Sequence, residues 1–175
     1  MSKALIHIYY GNGKGKTTCG MGLCVRAAGY GMKVLIFQFL KNNKSSERTA
    51  LCQIPGITLM EGDTEAKFTF AMNDEEKAQK CVYCEEMFKK VTQKAVDEDY
   101  DLLYLDEILH VIHKGMLDED LVLEFLKNKP DKLEVIMNGY HPSERMIEIA
   151  DYVSLIQKIK HPFEQGIPAR DGIER

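Results

Sequence analysis

Along the chain, short apolar runs alternate with longer stretches in which apolar and charged positions mix in a helix-compatible way. A parallel sheet is covered on both faces, so its strands read as nearly unbroken apolar runs with the covering helices between them. The pattern therefore predicts an α/β fold. Strands are expected at Ala4–Tyr10, Lys33–Leu40, Ile57–Met60, Leu102–Leu105, Leu133–Met137 and Tyr152–Ile156. Helices are expected near Lys16–Tyr30, Glu47–Gln53, Asp74–Asp97, Leu121–Leu126 and Ser143–Ala150. Asn73-Asp74 offers an N-cap for the longest helix, and Pro142-Ser143 starts the last.

Two segments fit no regular element. One is Lys41–Ser46, polar and carrying Asn42-Asn43; the other is the tail, 158–175, irregular from Lys160 onward with Pro162, Gly166, Pro168 and Gly172. Loops in open α/β sheets gather at the carboxyl ends of the strands, where ligands bind, so both are candidate site segments. A length of 175 residues suits one domain with a real core. The net charge of −4, with acids and bases interspersed, provides no basic field for a nucleic-acid backbone or an anionic membrane, and neither is expected as a partner. No run approaches the ~18 apolar residues of a membrane span, and Met1-Ser2-Lys3 leads straight into a strand pattern without a secretory signal. A cytoplasmic protein is expected. The five cysteines are an odd count that argues for reduced thiols, and Cys81-Val82-Tyr83-Cys84 lacks the second pair that a four-ligand zinc site needs.

The first strand runs into Gly11-Asn12-Gly13-Lys14-Gly15-Lys16-Thr17-Thr18, which opens the first helix. This is the form of a triphosphate cradle. Its glycines let the backbone curl around phosphate, the helix N-terminus favours negative charge, Lys16 reaches the outer phosphates, and Thr17 can place its hydroxyl on magnesium. The usual spacing puts the first glycine at the position of Tyr10, so a loop opened by Gly11 is one residue short. The fourth strand ends in Asp106-Glu107, as in P-loop proteins where a carboxylate at the strand tip orients magnesium or its waters. Asp106 is the expected metal partner. Glu107 could polarise a water, hydrogen-bond the substrate or contact the metal. His110 and His113 follow at i and i+3 without a third ligand nearby and are not read as a metal site.

Cradle and acid pair together specify a nucleotide triphosphate with magnesium but no particular reaction. With these residues in place, the chain resembles the ATP:corrinoid adenosyltransferases of the CobA/CobO/BtuR type over nearly its whole length. The resemblance rests on the shortened cradle, Gln38-Phe39-Leu40-Lys41, Ser46-Glu47, Phe68-Thr69-Phe70 and Leu105-Asp106-Glu107. It continues through Lys160-His161-Pro162-Phe163, Gly166-Ile167, Ala169 and Gly172-Ile173-Glu174. That family commonly has tryptophan at the position of Phe70 and Thr-Gly-Arg where this chain has Asn138-Gly139-Tyr140.

The resemblance implies a P-loop NTPase-like (RecA-type) fold and an unusual use of ATP. A cobalt(I) corrinoid attacks the 5′ carbon of the ribose, the adenosyl group is transferred, and inorganic triphosphate leaves. Lys16, Thr17 and Glu107 would then be catalytic, Gly11 to Thr18 would hold ATP, Thr17 and Asp106 would hold magnesium, and Phe68 and Phe70 would press on the corrin. It further implies a homodimer and an electron-transfer protein, such as a reduced flavodoxin, as the source of electrons. Two other readings share the scaffold: an ordinary P-loop kinase or NTPase, which needs arginine-bearing lids, and a non-catalytic, nucleotide-dependent corrinoid-binding protein.

Overall fold

A computed structural model describes residues 3–43, 45–62 and 74–174. The element order is β1 (Ile6–Tyr10), α1 (Lys16–Gly29), β2 (Val34–Gln38), α2 (Ser46–Leu51), β3 (Ile57–Leu59), α3 (Asp74–Asp97), β4 (Leu102–Asp106), α4 (Ile108–His113), α5 (Glu119–Asn128), β5 (Glu134–Gly139), α6 (Glu144–Ile149) and β6 (Tyr152–Leu155). A short 3-10 helix, Pro162–Gln165, follows in the tail. The six strands form one sheet in the order β3-β2-β4-β5-β1-β6, and every pairing is parallel.

Alternation along the strands builds two cores. Leu35, Phe37, Leu103, Leu105, Val135 and Met137 face one side, where they pack with residues of α3 to α6 such as Phe88, Val91, Leu109, Leu123 and Met146. Val34, Ile36, Leu102, Tyr104 and Ile136 face the other, against Met21, Cys24, Ala27 and Ala28 of α1 and Leu51 of α2. Because β2 and β4 are buried at every position, they read as continuous apolar runs. The sheet edges differ: β3 is half-buried and β6 is exposed throughout.

The structure has all six expected strands within a few residues of their predicted limits. One helix was not expected: α4, six residues long, begins directly after the acid pair and buries Ile108, Leu109 and Val111. So short a run shows no helical period of its own. Helix α5 begins at Glu119, earlier than expected, because Asp118 caps it by accepting from the Asp120 N–H. Ser143 caps α6 through the Met146 N–H. The tail, read as wholly irregular, contains the 3-10 turn that His161 caps by accepting from the Phe163 N–H.

Helix α1 meets β4 at Gly20, where an added Cβ would lie 2.4 Å from the Tyr104 ring. Gly20→Ala is therefore expected to destabilise the protein. Alanine favours the helix by about 1 kcal/mol, but forcing a methyl into a filled core costs about 1–3 kcal/mol, and the ring is fully buried. A urea midpoint lowered in Gly20→Ala checks this; a raised midpoint would mean the ring yields freely.

Candidate functional site: a phosphate cradle beside a buried carboxylate network

Because all strands are parallel, their carboxyl ends lie along one edge, and the order β2-β4-β5-β1 sets four of them side by side. Gln38 is in register with Asp106, and Tyr10 with Gly139. The cradle after β1, Asn138 on β5, the acid pair at the end of β4 and Gln38 to Lys41 after β2 are thus neighbours. This is the edge at which open α/β sheets bind ligands.

Within the cradle, Gly15 takes φ 116 and starts α1 with no side-chain cap and no acid in the first turn. The first helical amides lack intrahelical acceptors by construction, so this uncapped turn is a ready anion site. The glycines before it also serve the scaffold. The Gly11 N–H donates to the Gly139 carbonyl (3.3 Å) and the Gly13 N–H to the Ile156 carbonyl (2.8 Å). A Cβ on Gly13 would lie 2.8 Å from backbone atoms of Ile156 and Gln157. The Lys158 N–H donates to Asn12 Oδ1 (2.9 Å), and Lys14 pairs with Glu174 at 3.3 Å. The cradle is thus laced to the segment after β6, which accounts for much of its glycine content.

Lys16 is half-buried. Its Nζ donates to the Gly13 carbonyl (2.8 Å) and sits 4.5 Å from the centre of the Tyr140 ring. Burial draws its pKa down, while Glu107 and Asp106 act in the opposite sense. The Tyr140 ring also meets His110 edge-on at 5.3 Å.

Asp106 has no exposed surface and is the hub of the site. Its Oδ1 accepts from Thr17 Oγ1 (3.0 Å), Tyr104 OH (2.8 Å) and Asn138 Nδ2 (2.8 Å). Its Oδ2 accepts from Gln38 Nε2 (3.1 Å) and lies 3.5 Å from Lys41 Nζ. Asn138 Nδ2 also donates to Tyr104 OH (2.7 Å), so phenol and amide support each other as they hold the carboxylate. Burial and the adjacent Asp106 push the Tyr104 phenol pKa up, which keeps it a donor. Asn138 Oδ1 accepts the Glu107 N–H, fixing Glu107 at φ 64 as the cap residue of α4.

Glu107 sits in the same polar layer. Burial, with Asp106 as a like charge, pushes its pKa up to about 7. A raised carboxyl pKa favours the protonated folded state between the unfolded value, about 4.5, and 7, so stability falls as pH rises through that window. Glu107→Gln should flatten this slope and gain more stability over wild type at pH 8 than at pH 5. Denaturant unfolding at both pH values measures it; an equal gain at the two would contradict it.

The structure brings the cradle, Thr17 and Asp106 together, with Glu107 beside them. Phe68 and Phe70 lie outside the described residues. His110 and His113 do not converge on a metal; His113 instead packs against His141. Among the described residues, no group of three or more His, Cys, Asp or Glu could hold a metal ion. Arg48 donates to Gln38 Oε1 (3.1 Å) and Arg170 pairs with Glu174, so both arginines near the candidate loops serve internal contacts. Among the described residues, no helix is long and apolar enough to cross a membrane. Sequence reasoning gave no role to Gln38, Lys41, Glu47, Tyr104 or Asn138. Gln38, Lys41 and Glu47 stood in the family-like motifs and Asn138 in the Asn138-Gly139-Tyr140 run that departs from them, whereas Tyr104 carried no signal beyond its strand.

The family model described as ATP:corrinoid adenosyltransferase BtuR/CobO/CobP matches residues 2–175. The chain belongs to this family. Among similar proteins, the corrinoid adenosyltransferase of Sinorhizobium sp is 33% identical over 181 residues, covering 98% of this chain and 80% of that one. The corrinoid adenosyltransferase of Escherichia coli K12 is 28% identical over 172 residues, covering 98% and 86%. Among solved structures, EssC (ATPases 2 and 3) from Geobacillus thermodenitrificans superposes with a TM-score of 0.50 at 16% identity, over 96% of this chain and 36% of that longer one. That likeness concerns the fold alone, and it agrees with the P-loop NTPase-like architecture.

Proposed function

We propose that this chain transfers the 5′-deoxyadenosyl group of ATP to the cobalt of a reduced corrinoid and releases inorganic triphosphate. The observation that carries the reading is the uncapped start of α1, with Lys16, meeting the Thr17–Asp106 pair in a chain matched by the family from residue 2 to 175. Cobalt(I) supplies the electron pair for the new bond to C5′. The C5′–O bond breaks, and its electrons leave on the triphosphate. No proton moves in this step, so no general base is required.

Positioning and charge stabilisation are left to the protein. The departing triphosphate gains negative charge, and the Lys16 ammonium and first-turn amides of α1 are placed to offset it. In this role the whole polyphosphate is gripped as a leaving group, rather than exposing its last phosphorus to attack. Thr17 and Asp106 are hard oxygen donors of the kind magnesium takes, and they would hold it; when bound, it would neutralise phosphate oxygens. Glu107, whose protonated form burial and the adjacent Asp106 favour, serves as a substrate-orienting hydrogen-bonding group.

Phe68 and Phe70 are the proposed apolar contacts to the corrin, displacing its lower axial ligand and easing reduction by an electron-transfer protein such as a reduced flavodoxin. We place the protein in the cytoplasm as a homodimer of single-domain chains, with 158–175 as a tail beside the site. The test is anaerobic mixing of a reduced corrinoid with magnesium ATP. A light-sensitive organocobalt spectrum is expected, and a corrinoid that binds with no carbon–cobalt bond formed would overturn the reading.

A further inference from the structure

The acid cluster contains a cation of its own. Lys41 Nζ lies 2.7 Å from Glu47 Oε1 and 3.5 Å from Asp106 Oδ2, and Gln38 Nε2 bridges the same two carboxylates at 3.0 and 3.1 Å. Asp106 Oδ1 already accepts from Thr17, Tyr104 and Asn138, so its acceptor capacity is spent. Oδ2 is the oxygen left to meet a positive charge, and the ammonium stands there. A fully buried carboxylate without a cation beside it is costly, which gives Lys41 a reason to hold this place.

We propose that Lys41 is a resident counter-ion that keeps the Asp106–Glu47 pair closed to divalent ions until nucleotide arrives, making metal entry depend on ATP. The inference rests on reading Asp106 as the metal-side acid. The Asp106 carboxylate and the Thr17 hydroxyl form a weak magnesium site unless phosphate oxygens complete it. With an ammonium between the carboxylates, a divalent ion arriving alone must displace a bonded charge and meets it at close range. When triphosphate enters the cradle, it supplies both ligands for the metal and a new anionic partner for the lysine. The lysine thereby moves its charge from the acids to the leaving group, and the ordering suppresses futile metal binding by the free protein.

The test uses manganese(II) as the probe, read by its electron paramagnetic resonance signal on the full chain. Wild type without nucleotide should bind manganese weakly, with ATP tightening it at least about tenfold through linkage. Lys41→Met, which keeps the stem and removes the charge, should tighten manganese binding without ATP by about tenfold or more and shrink the ATP effect. Lys41→Arg should behave like wild type. Lys41→Gln is the second charge-removing variant should the methionine substitution fail to fold. If neither charge-removing variant gains manganese affinity while Asp106→Asn still weakens binding in the presence of ATP, the Lys41 proposal is overturned and the metal site stands. Were Asp106→Asn to leave manganese binding unchanged with ATP present, the reading of Asp106 would fail instead. Adenosyl transfer by wild type tests the reaction separately.

Discussion

Lys16→Ala is expected to abolish measurable adenosyl transfer while leaving the fold intact. Its ammonium is the positive charge at the mouth of the cradle, bonded to the Gly13 carbonyl and seated over Tyr140. Neither contact holds two elements of the core together, so truncation should cost little stability. Catalytically the same group would meet the triphosphate as its charge grows. Removing one such preorganised donor costs roughly 10²–10³ in rate, and a full charge in a half-buried setting belongs at the upper end or beyond. The measurement is kcat for organocobalt formation, with circular dichroism to establish folding. A folded variant with near-normal kcat would remove the proposed grip on the leaving group.

The second large effect is expected at Asn138. Its amide is 1% exposed and makes three bonds, accepting from the Glu107 N–H and donating to Tyr104 OH and Asp106 Oδ1. Asn138→Leu keeps the volume and deletes all three. A buried donor or acceptor left without a partner costs about 1–3 kcal/mol, so the sum should reach about 3 kcal/mol or more, even after partial relaxation. It should also free Asp106 to rotate and Glu107 to leave its left-handed conformation. Activity should fall at least about tenfold in the fraction that remains folded. Urea unfolding and kcat measure the two effects; a loss below ~0.5 kcal/mol would show that these three bonds do not stabilise the fold.

Strands β2, β4 and β5 were legible because a covered parallel sheet demands continuous apolar runs. The cradle was legible because few other backbones need glycines at 11, 13 and 15 before a lysine and two hydroxyls. Asp106 and Glu107 were legible by their place at a strand tip. What holds Asp106 was not. Tyr104, in a run of buried residues, reads as a core aromatic, and only the neighbouring Gly20 lets its phenol sit where it reaches the carboxylate. Asn138 gains its meaning from strand order: β5 lies between β4 and β1, so one amide reaches the phenol, the carboxylate and the turn after it. Strand order is a property of the whole chain, and no local pattern announces it. The same holds for the tail, whose proline and glycine content concealed a segment that bonds the cradle through Lys158 and Glu174.

The most direct measurement is the phosphorus product of a single turnover, followed by ³¹P resonance with a reduced corrinoid and magnesium ATP. The structure and family together predict inorganic triphosphate in a one-to-one ratio with adenosylated corrinoid. ADP with orthophosphate, and unmodified cobalt, would contradict the account at its centre.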